Sequence, residues 1–422
     1  MSIYQDKNLF LKQNKLGINS RVMLFDLATV GHHPIYIQYL VKYWQEKELP
    51  GKLDIVVSPN FLDEHHSIIT HSKINQSQSI RFIPVEQKDY SNYISQKKII
   101  NSIFIEWDIS RKYATRLKVD HCLFMYLDRL QLPIVLGDNF PCLFSGIYFR
   151  PTLHYDDFDN SLPSWKDRLR QWRQRLLLSS VLRNPQFKFL FCLDPFAVKH
   201  IEKLNSKAKI LYLPDPVQIC ETADLKTEQL KTRLGINCDR KIFLLFGYLE
   251  SRKGIYQLLE AIKLLPPVAC ENLCLVLAGF IHPLEKLQIE TLVREIAHSL
   301  PVQIITCNDF VPEQEVHLYF QMADVILAPY QRHVGMSGIL LLAAAANKPV
   351  LSSNYGLLGQ LVCQHKLGMT VDSTLPHEIA DGIVKFISDV PQNFYDIKMM
   401  ENFAKQHFHE NFASVITNNI FD

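Results

Sequence analysis

The sequence predicts an α/β protein made of two doubly wound, Rossmann-like domains facing a central cleft. Three observations predict it. Short apolar runs alternate with amphipathic stretches along most of the chain. Those runs are apolar on both faces, as strands of a parallel sheet covered by helices are. The alternation stops in a polar segment near the middle and then restarts. At 422 residues the chain is also too long for one ordinary core.

In order, "RVMLFDLA" (21–28) reads as a buried strand and "PIYIQYLVKYWQEK" (34–47) as the helix after it. "LDIVVSP" (53–59) is a second strand, and 60–105 carries no clear pattern. "DHCLFMYLD" (120–128), "LFSGIYF" (143–149), "FKFLFCLD" (187–194) and "KILYLPDP" (209–216) read as further strands. "LPDPV" (213–217) ends the last of them, and a polar segment, 218–240, follows. The boundary is placed there, giving domains 1–214 and 215–400. The second domain runs as strand 241–249, helix 254–265, strand 273–280, helix 283–299, strand 302–307, helix 313–322, strand 324–330, helix 338–346 and strand 349–353. A single helix over about 401–422 is expected to cross back to the first domain. Two open sheets of this kind bind ligands at the carboxyl ends of their strands.

Composition excludes several classes. The chain is 47% hydrophobic and 21% charged, with a net charge of +2, so bulk charge gives no nucleic-acid partner. Nine cysteines without a CxxC pair suit reduced thiols in the cytosol. The N-terminus lacks an apolar signal core, and no run approaches the ~18–20 apolar residues that span a bilayer. The expected location is cytoplasmic, at most peripheral to the inner face of a membrane. A nicotinamide-dependent reading fits the α/β pattern, but "ATVGHHP" offers one glycine where a GxGxxG would stand.

Two loops carry the binding chemistry. In "FGYLESRKGIYQLLEAIKLLP" (246–266) a strand ends at Gly247, a loop delivers Arg252 and Lys253, and Gly254 precedes a helix with Ile255, Leu258, Leu259 and Ile262 on one face. Two cations at a strand-to-helix loop suit a diphosphate; a solvated basic turn is the plain alternative. In "APYQRHVGMSG" (328–338) a helix begins near Ser337 or Gly338. Its first turn leaves amides unpaired, and glycines let a phosphate approach them. The helix interior, Ala343 to Ala346, reads as core.

These blocks, together with "NDFVPEQEVHLYFQMADVILAPY" and "GMSGILLLAAAANKPVLSSNYGLLGQLV", resemble the nucleotide-sugar half of retaining GT-B glycosyltransferases of the family-4, or group 1, type. The resemblance spans roughly 240 to 375 and is looser in the first domain, at "DLATVGHHPIYIQYLV" (26–41). It implies sugar transfer from a nucleotide-diphosphate sugar to an acceptor hydroxyl, with retention, no metal and no cofactor. By it, Lys253 and Arg252 hold the donor diphosphate, and the amides of Gly335, Met336, Ser337, Gly338 and Ile339 hold it from the other side. Backbone at Phe310, Val311 and Pro312 flanks the base, and Gly31 and His32 lie near the transferred sugar. The sequence departs from the pattern in three places. Tyr248 stands where the family has arginine, and Val334 and Leu342 stand where it has two glutamates. A degenerate transferase that binds a nucleotide or sugar, or acts as a scaffold, is the rival reading. Ser337 and Asn354 are candidate replacement donors.

In the first domain the candidates are His32, Asp128 and Arg150, with Tyr148 and His154 beside them. Asp128 would bind an acceptor hydroxyl or cap the next helix. Arg150 would face the diphosphate or an acidic acceptor, or pair with Asp156 or Asp157. The adjacent His32 and His33 do not suit a metal. "SWKDRLRQWRQRLLLSSVLRN" (164–184) has Trp165, Leu169, Trp172 and Leu176 at helical spacing among five cations, Lys166, Arg168, Arg170, Arg173 and Arg175. It reads as a covering helix with a solvated basic face, or as a helix lying on an anionic membrane. The acceptor class that follows is a lipid-linked or polysaccharide precursor.

Overall fold

The structure, a computed structural model, describes residues 20–74, 79–154, 165–204, 206–217, 224–333, 335–388 and 394–421. The chain divides into two compact units. One takes the chain up to Leu153, then Trp165–Leu213, then everything from Glu410; the other takes His154 and Pro214–His409.

The first unit contains β1 (Arg21–Asp26), α1 (His33–Glu46), β2 (Lys52–Val57), α2 (Pro59–Glu64), α3 (His66–Ile74), β3 (Ile80–Pro84), α4 (Gln87–Ile94), α5 (Ile99–Leu117), β4 (His121–Phe124), α6 (Gln131–Leu136), β5 (Leu143–Tyr148), α7 (Trp165–Leu182), β6 (Phe187–Cys192), α8 (Pro195–Glu202) and β7 (Lys209–Tyr212). Its seven strands lie in the order β3-β2-β1-β4-β5-β6-β7. These neighbours pair in parallel, with Phe25 opposite Phe124 between β1 and β4. The central strands are buried on both faces, which is why they read as unbroken apolar runs.

The second unit contains α9 (Asp224–Leu234), β8 (Lys241–Phe246), α10 (Ile255–Lys263), α11 (Pro267–Glu271), β9 (Leu273–Ala278), α12 (Lys286–Ser299), β10 (Gln303–Cys307), α13 (Glu313–Met322), β11 (Val325–Ala328), α14 (Gly338–Ala345), β12 (Val350–Ser353), α15 (Gly356–Gln364), β13 (Gly368–Val371), α16 (Pro376–Ser388) and α17 (Ile397–Gln406). Its six parallel strands lie in the order β10-β9-β8-β11-β12-β13. Strand order reverses between β1 and β4 in one sheet and between β8 and β11 in the other. The loops at the carboxyl ends of those strands flank the crevice that such sheets use for ligands.

Four expectations are corrected. The polar stretch 218–240 is not only linker: Asp224–Leu234 is helical. The stretch 60–105 holds four helix segments and β3. The strand at 120–128 ends at Phe124, although Met125 still donates its amide to Phe25 O and Leu127 to Ile147 O beyond it. The C-terminal helix is two helices, α17 and α18 (His409–Phe421). They part at His407–Phe408, where Val217 donates its amide to His407 O at 2.7 Å and pairs with Phe408 as an isolated bridge. Beyond the break, Phe412, Ala413, Ile416 and Ile420 complete the core on the β1–β2 face.

Candidate functional site

In the second unit, β8 ends at Phe246 and a single 3-10 turn, Ser251–Lys253, leads to Gly254 and α10. Gly254 has φ +76°, and a Cβ there would sit 1.9 Å from Pro329 O. Only glycine lets this turn press against the segment after β11. Gln331 donates its amide to Arg252 O at 2.9 Å, which ties the two loops together.

Lys253 is the consequence. Its side chain is buried, with 8% exposure for the residue. Nζ donates to Phe246 O at 3.3 Å and to the Tyr330 hydroxyl, and lies 4.3 Å from the Tyr330 ring centroid. Among the described residues it has no carboxylate partner. An ammonium has three donors, and two are engaged. A buried cation without a counter-ion is costly unless an anion joins it. The solvated-turn alternative therefore fails for Lys253. It survives better for Arg252, which is half exposed and pairs with Glu250 at 2.8 Å and His333 Nδ1 at 3.3 Å.

Ser337 precedes α14 as its N-cap but makes no side-chain cap. Its hydroxyl donates instead to the Tyr330 hydroxyl at 3.3 Å. The start of α14, where a helix leaves its first amides open to an outside acceptor, thus sits one tyrosine away from Lys253, although Leu340 already donates to Ser337 O at 3.1 Å. Tyr330 is pinned through its carbonyl, which accepts from Ser373 Oγ at 2.9 Å. Gly335 has φ +109°, and a Cβ on Gly338 would meet nothing within 4 Å, so the approach to the helix start is open there. Ile339 is buried and Met336 half-buried. Phe310 is 82% exposed after β10, while Val311 is buried. Val334 lies outside the described residues, and Leu342 is a half-buried apolar side chain on α14. Tyr248 stacks on Phe280 at 5.8 Å.

The sequence reading missed Tyr330. Its signal was present, since "DVILAPY" puts an aromatic hydroxyl at a strand end just before the glycine loop.

In the first unit, Gly31, with φ +72°, leads into α1 after β1. His32 stacks on Phe149 at 4.6 Å and on His33 at 4.5 Å. Burial, then the charges of His33 and Arg150, lower its pKa to about 3, so its imidazole is neutral. The hydrogen-bonded imidazole of the pair is His33, whose Nδ1 lies 2.6 Å from Asp26 Oδ2. Burial alone lowers the His33 pKa, but the Asp26 hydrogen bond and the charges of Asp26 and Glu106 outweigh it and leave it raised. Behind it, Glu106 on α5 is buried, and burial raises its carboxyl to about 7. Glu106 Oε2 has no hydrogen bond and lies 3.7 Å from Arg129, which donates to Tyr93 at 3.1 Å. The sequence showed no pattern linking Asp26, His33, Glu106 and Arg129, because β1, α1, α5 and the loop after β4 each supply one of them.

Asp128 does not cap the next helix. Its two oxygens accept the amides of Phe149 and Arg150, each at 2.9 Å, and so brace the end of β5. Burial raises its pKa to about 6 against those bonds. Arg150 is exposed, and its suggested partners Asp156 and Asp157 lie outside the described residues. Tyr148 is buried and accepts from Gln174 Nε2 at 2.8 Å; His154 is buried too but groups with the second unit, not the first. Among the described residues no group of three His, Cys, Asp or Glu stands where it would hold a metal ion. No helix among them is long and apolar enough to cross a membrane.

Comparison with known proteins bears on the second unit first. Residues 226–407 match the family model described as Glycosyl transferases group 1. A D-inositol 3-phosphate glycosyltransferase of Corynebacterium urealyticum is 30% identical over 187 residues, 43% of this chain and 42% of that protein. The chain thus spans about two fifths of that relative's length. The whole fold is similar to sucrose-phosphate synthase from Thermosynechococcus elongatus, with TM-score 0.68, 19% identity and coverage of 95% and 98%. It is also similar to an Anabaena protein, HepE, solved in complex with UDP, with TM-score 0.65, 11% identity and coverage of 94% and 98%. The two parallel-sheet units and these neighbours make the fold GT-B, with the Glycosyl transferases group 1 match carried by residues 226–407.

Proposed function

We propose that this protein is a glycosyltransferase that moves a sugar from a nucleotide-diphosphate sugar to an acceptor hydroxyl, with retention and without a metal. The observation that carries the reading is Lys253, a buried ammonium with no carboxylate partner, joined through Tyr330 to the start of α14. That arrangement suits the leaving diphosphate. Lys253 neutralises charge as the bond from the anomeric carbon to the phosphate oxygen breaks, and the helix amides add donors. The acceptor oxygen forms the new bond on the same face, and its proton passes to the departing phosphate oxygen. In the first unit, His33 held by Asp26 serves as a hydrogen-bonding group for acceptor hydroxyls. The acceptor we favour is a lipid-linked or polysaccharide precursor, met on the cytoplasmic side.

Calorimetry with UDP, GDP, ADP and their common sugars tests the donor site. One nucleotide is expected to bind, and Lys253→Ala to weaken it about tenfold, or about 1.4 kcal/mol. No binding by the folded protein at millimolar nucleotide removes the donor reading. Turnover then yields the product's anomeric configuration, which tests retention.

A second reading, a nucleotide-binding protein without transfer, draws on Leu342, which places a methyl-bearing side chain where the family's helix carries a carboxylate. Nucleotide binding with no turnover across acceptors favours it.

A further inference from the structure

We propose that the outer face of α7 docks this protein on an anionic lipid bilayer. The helix is fixed by its inner face. Leu178, Val181 and Leu182 are fully buried, Gln174 donates to the Tyr148 hydroxyl at 2.8 Å, and Arg175 donates to Leu153 O at 3.1 Å. With that face committed to the core, the opposite face cannot be a core face. Yet it carries Leu169, Trp172 and Leu176, exposed by 55%, 59% and 49%. At about 100° per residue these three fall within roughly 60° of arc, so they form one stripe along the helix. Arg173 lies on one flank and is exposed, Arg175 is exposed on the other side with its guanidinium tied to Leu153 O, and Arg183 is exposed just beyond the helix end.

Charge identifies the occupant. Residues 165–183 contain six Lys and Arg against one Asp, a net +5, while the whole chain carries +2 and the remainder therefore −3. An apolar stripe bordered by arginines fits a surface with acyl chains below and anionic head groups around. Tryptophan favours that depth because its ring is apolar and its N–H polar. The association is peripheral, since no described helix is long and apolar enough to span. The proposal does not rest on sugar transfer, and its test needs no activity.

The full chain is sedimented with vesicles of phosphatidylcholine alone and of equal parts phosphatidylcholine and phosphatidylglycerol. Binding is expected on the anionic vesicles, with little on the neutral ones, and is expected to fall with salt. The triple change Leu169→Ser, Trp172→Ser, Leu176→Ser should lower the partition coefficient at least about tenfold, and Arg173→Glu severalfold. These side chains are exposed, so unchanged circular dichroism is expected and serves as the folding control. Three results overturn the proposal. They are absence of binding to anionic vesicles at low salt, binding untouched by the triple change, and self-association of the wild type that the triple change abolishes.

Discussion

At the residue scale, the candidate donor site depends on one hydroxyl. Tyr330 accepts from Lys253 and from Ser337, so it aligns the cation with the start of α14. Tyr330→Phe keeps the ring under Lys253 and removes only that link. Nucleotide affinity is expected to fall about three- to tenfold, since a hydrogen bond contributes about 0.5–1.5 kcal/mol net. Thermal stability should change little, and calorimetry beside a melting curve checks both. In the first unit the informative residue is Glu106. Its pKa rises from 4.5 to about 7 on burial, so the folded chain holds a proton that the unfolded chain has lost between those values. By linkage, stability then falls as pH rises through that window. His33, raised as well, adds stability that is full below its unfolded pKa and is lost as pH rises through its folded one. Glu106→Gln removes the first contribution and the negative charge that helps the second. The difference in unfolding free energy between wild type and Glu106→Gln should drift against the wild type from pH 4.5 to 7. A drift of on the order of 1–3 kcal/mol is expected from urea titrations, and a flat difference contradicts the assignment. The family resemblance pointed to His32 in this loop, and adjacent histidines cannot be told apart by pattern. Only the fold shows that Asp26 holds one of them and Phe149 covers the other.

At the scale of elements, the site is a product of close strand ends. The turn Ser251–Lys253 reaches Pro329 only because Gly254 has no side chain. Gly254→Ala sets a Cβ against a backbone carbonyl at a positive φ, so both the turn and the segment after β11 must move. A loss of about 1–3 kcal/mol is expected, together with weaker nucleotide binding, because Lys253 is carried by the same turn. Chemical denaturation and calorimetry on the variant check the pair of effects. This glycine and the α10 helix after it were legible in the sequence, since the apolar positions 255, 258, 259 and 262 repeat at helical spacing and all are buried. The α13 bounds, 313–322, and the α14 start at Gly338 were legible for the same reason: a strand end, a breaker and then a change of period. The stretch 60–105 was not. Its α4 has no buried residue, and β3 is a half-buried edge strand ending in proline, so neither carries the two-faced apolar signal of its neighbours. Proximity across the fold was equally hidden: nothing local links Lys253 to Tyr330, 77 residues on.

At the scale of the whole molecule, chain order and unit membership part company at the C-terminus. The second unit's sheet is complete at β13, α16 and α17, yet the chain continues into α18, which packs with the first unit's core. Phe412 and Ala413 are fully buried and Ile416 nearly so, among Val22, Leu24, Trp44 and Leu53. None of them belongs to the cluster that carries Leu245, Leu258 and Leu327 in the second unit. Loss of these contacts should therefore weaken the first unit although the substituted residues follow the second in sequence. Phe412→Ala is expected to cost about 3–5 kcal/mol, the range for emptying a buried aromatic site. Two readouts separate the units. Melting followed by differential scanning calorimetry should show one transition lowered and another in place. Nucleotide affinity, which reports on Lys253 and Tyr330, should hold at a temperature below both transitions. Equal losses in both readouts would mean that the units unfold as a single cooperative block, and that α18 acts as a clamp for the entire chain rather than as the last helix of its first unit.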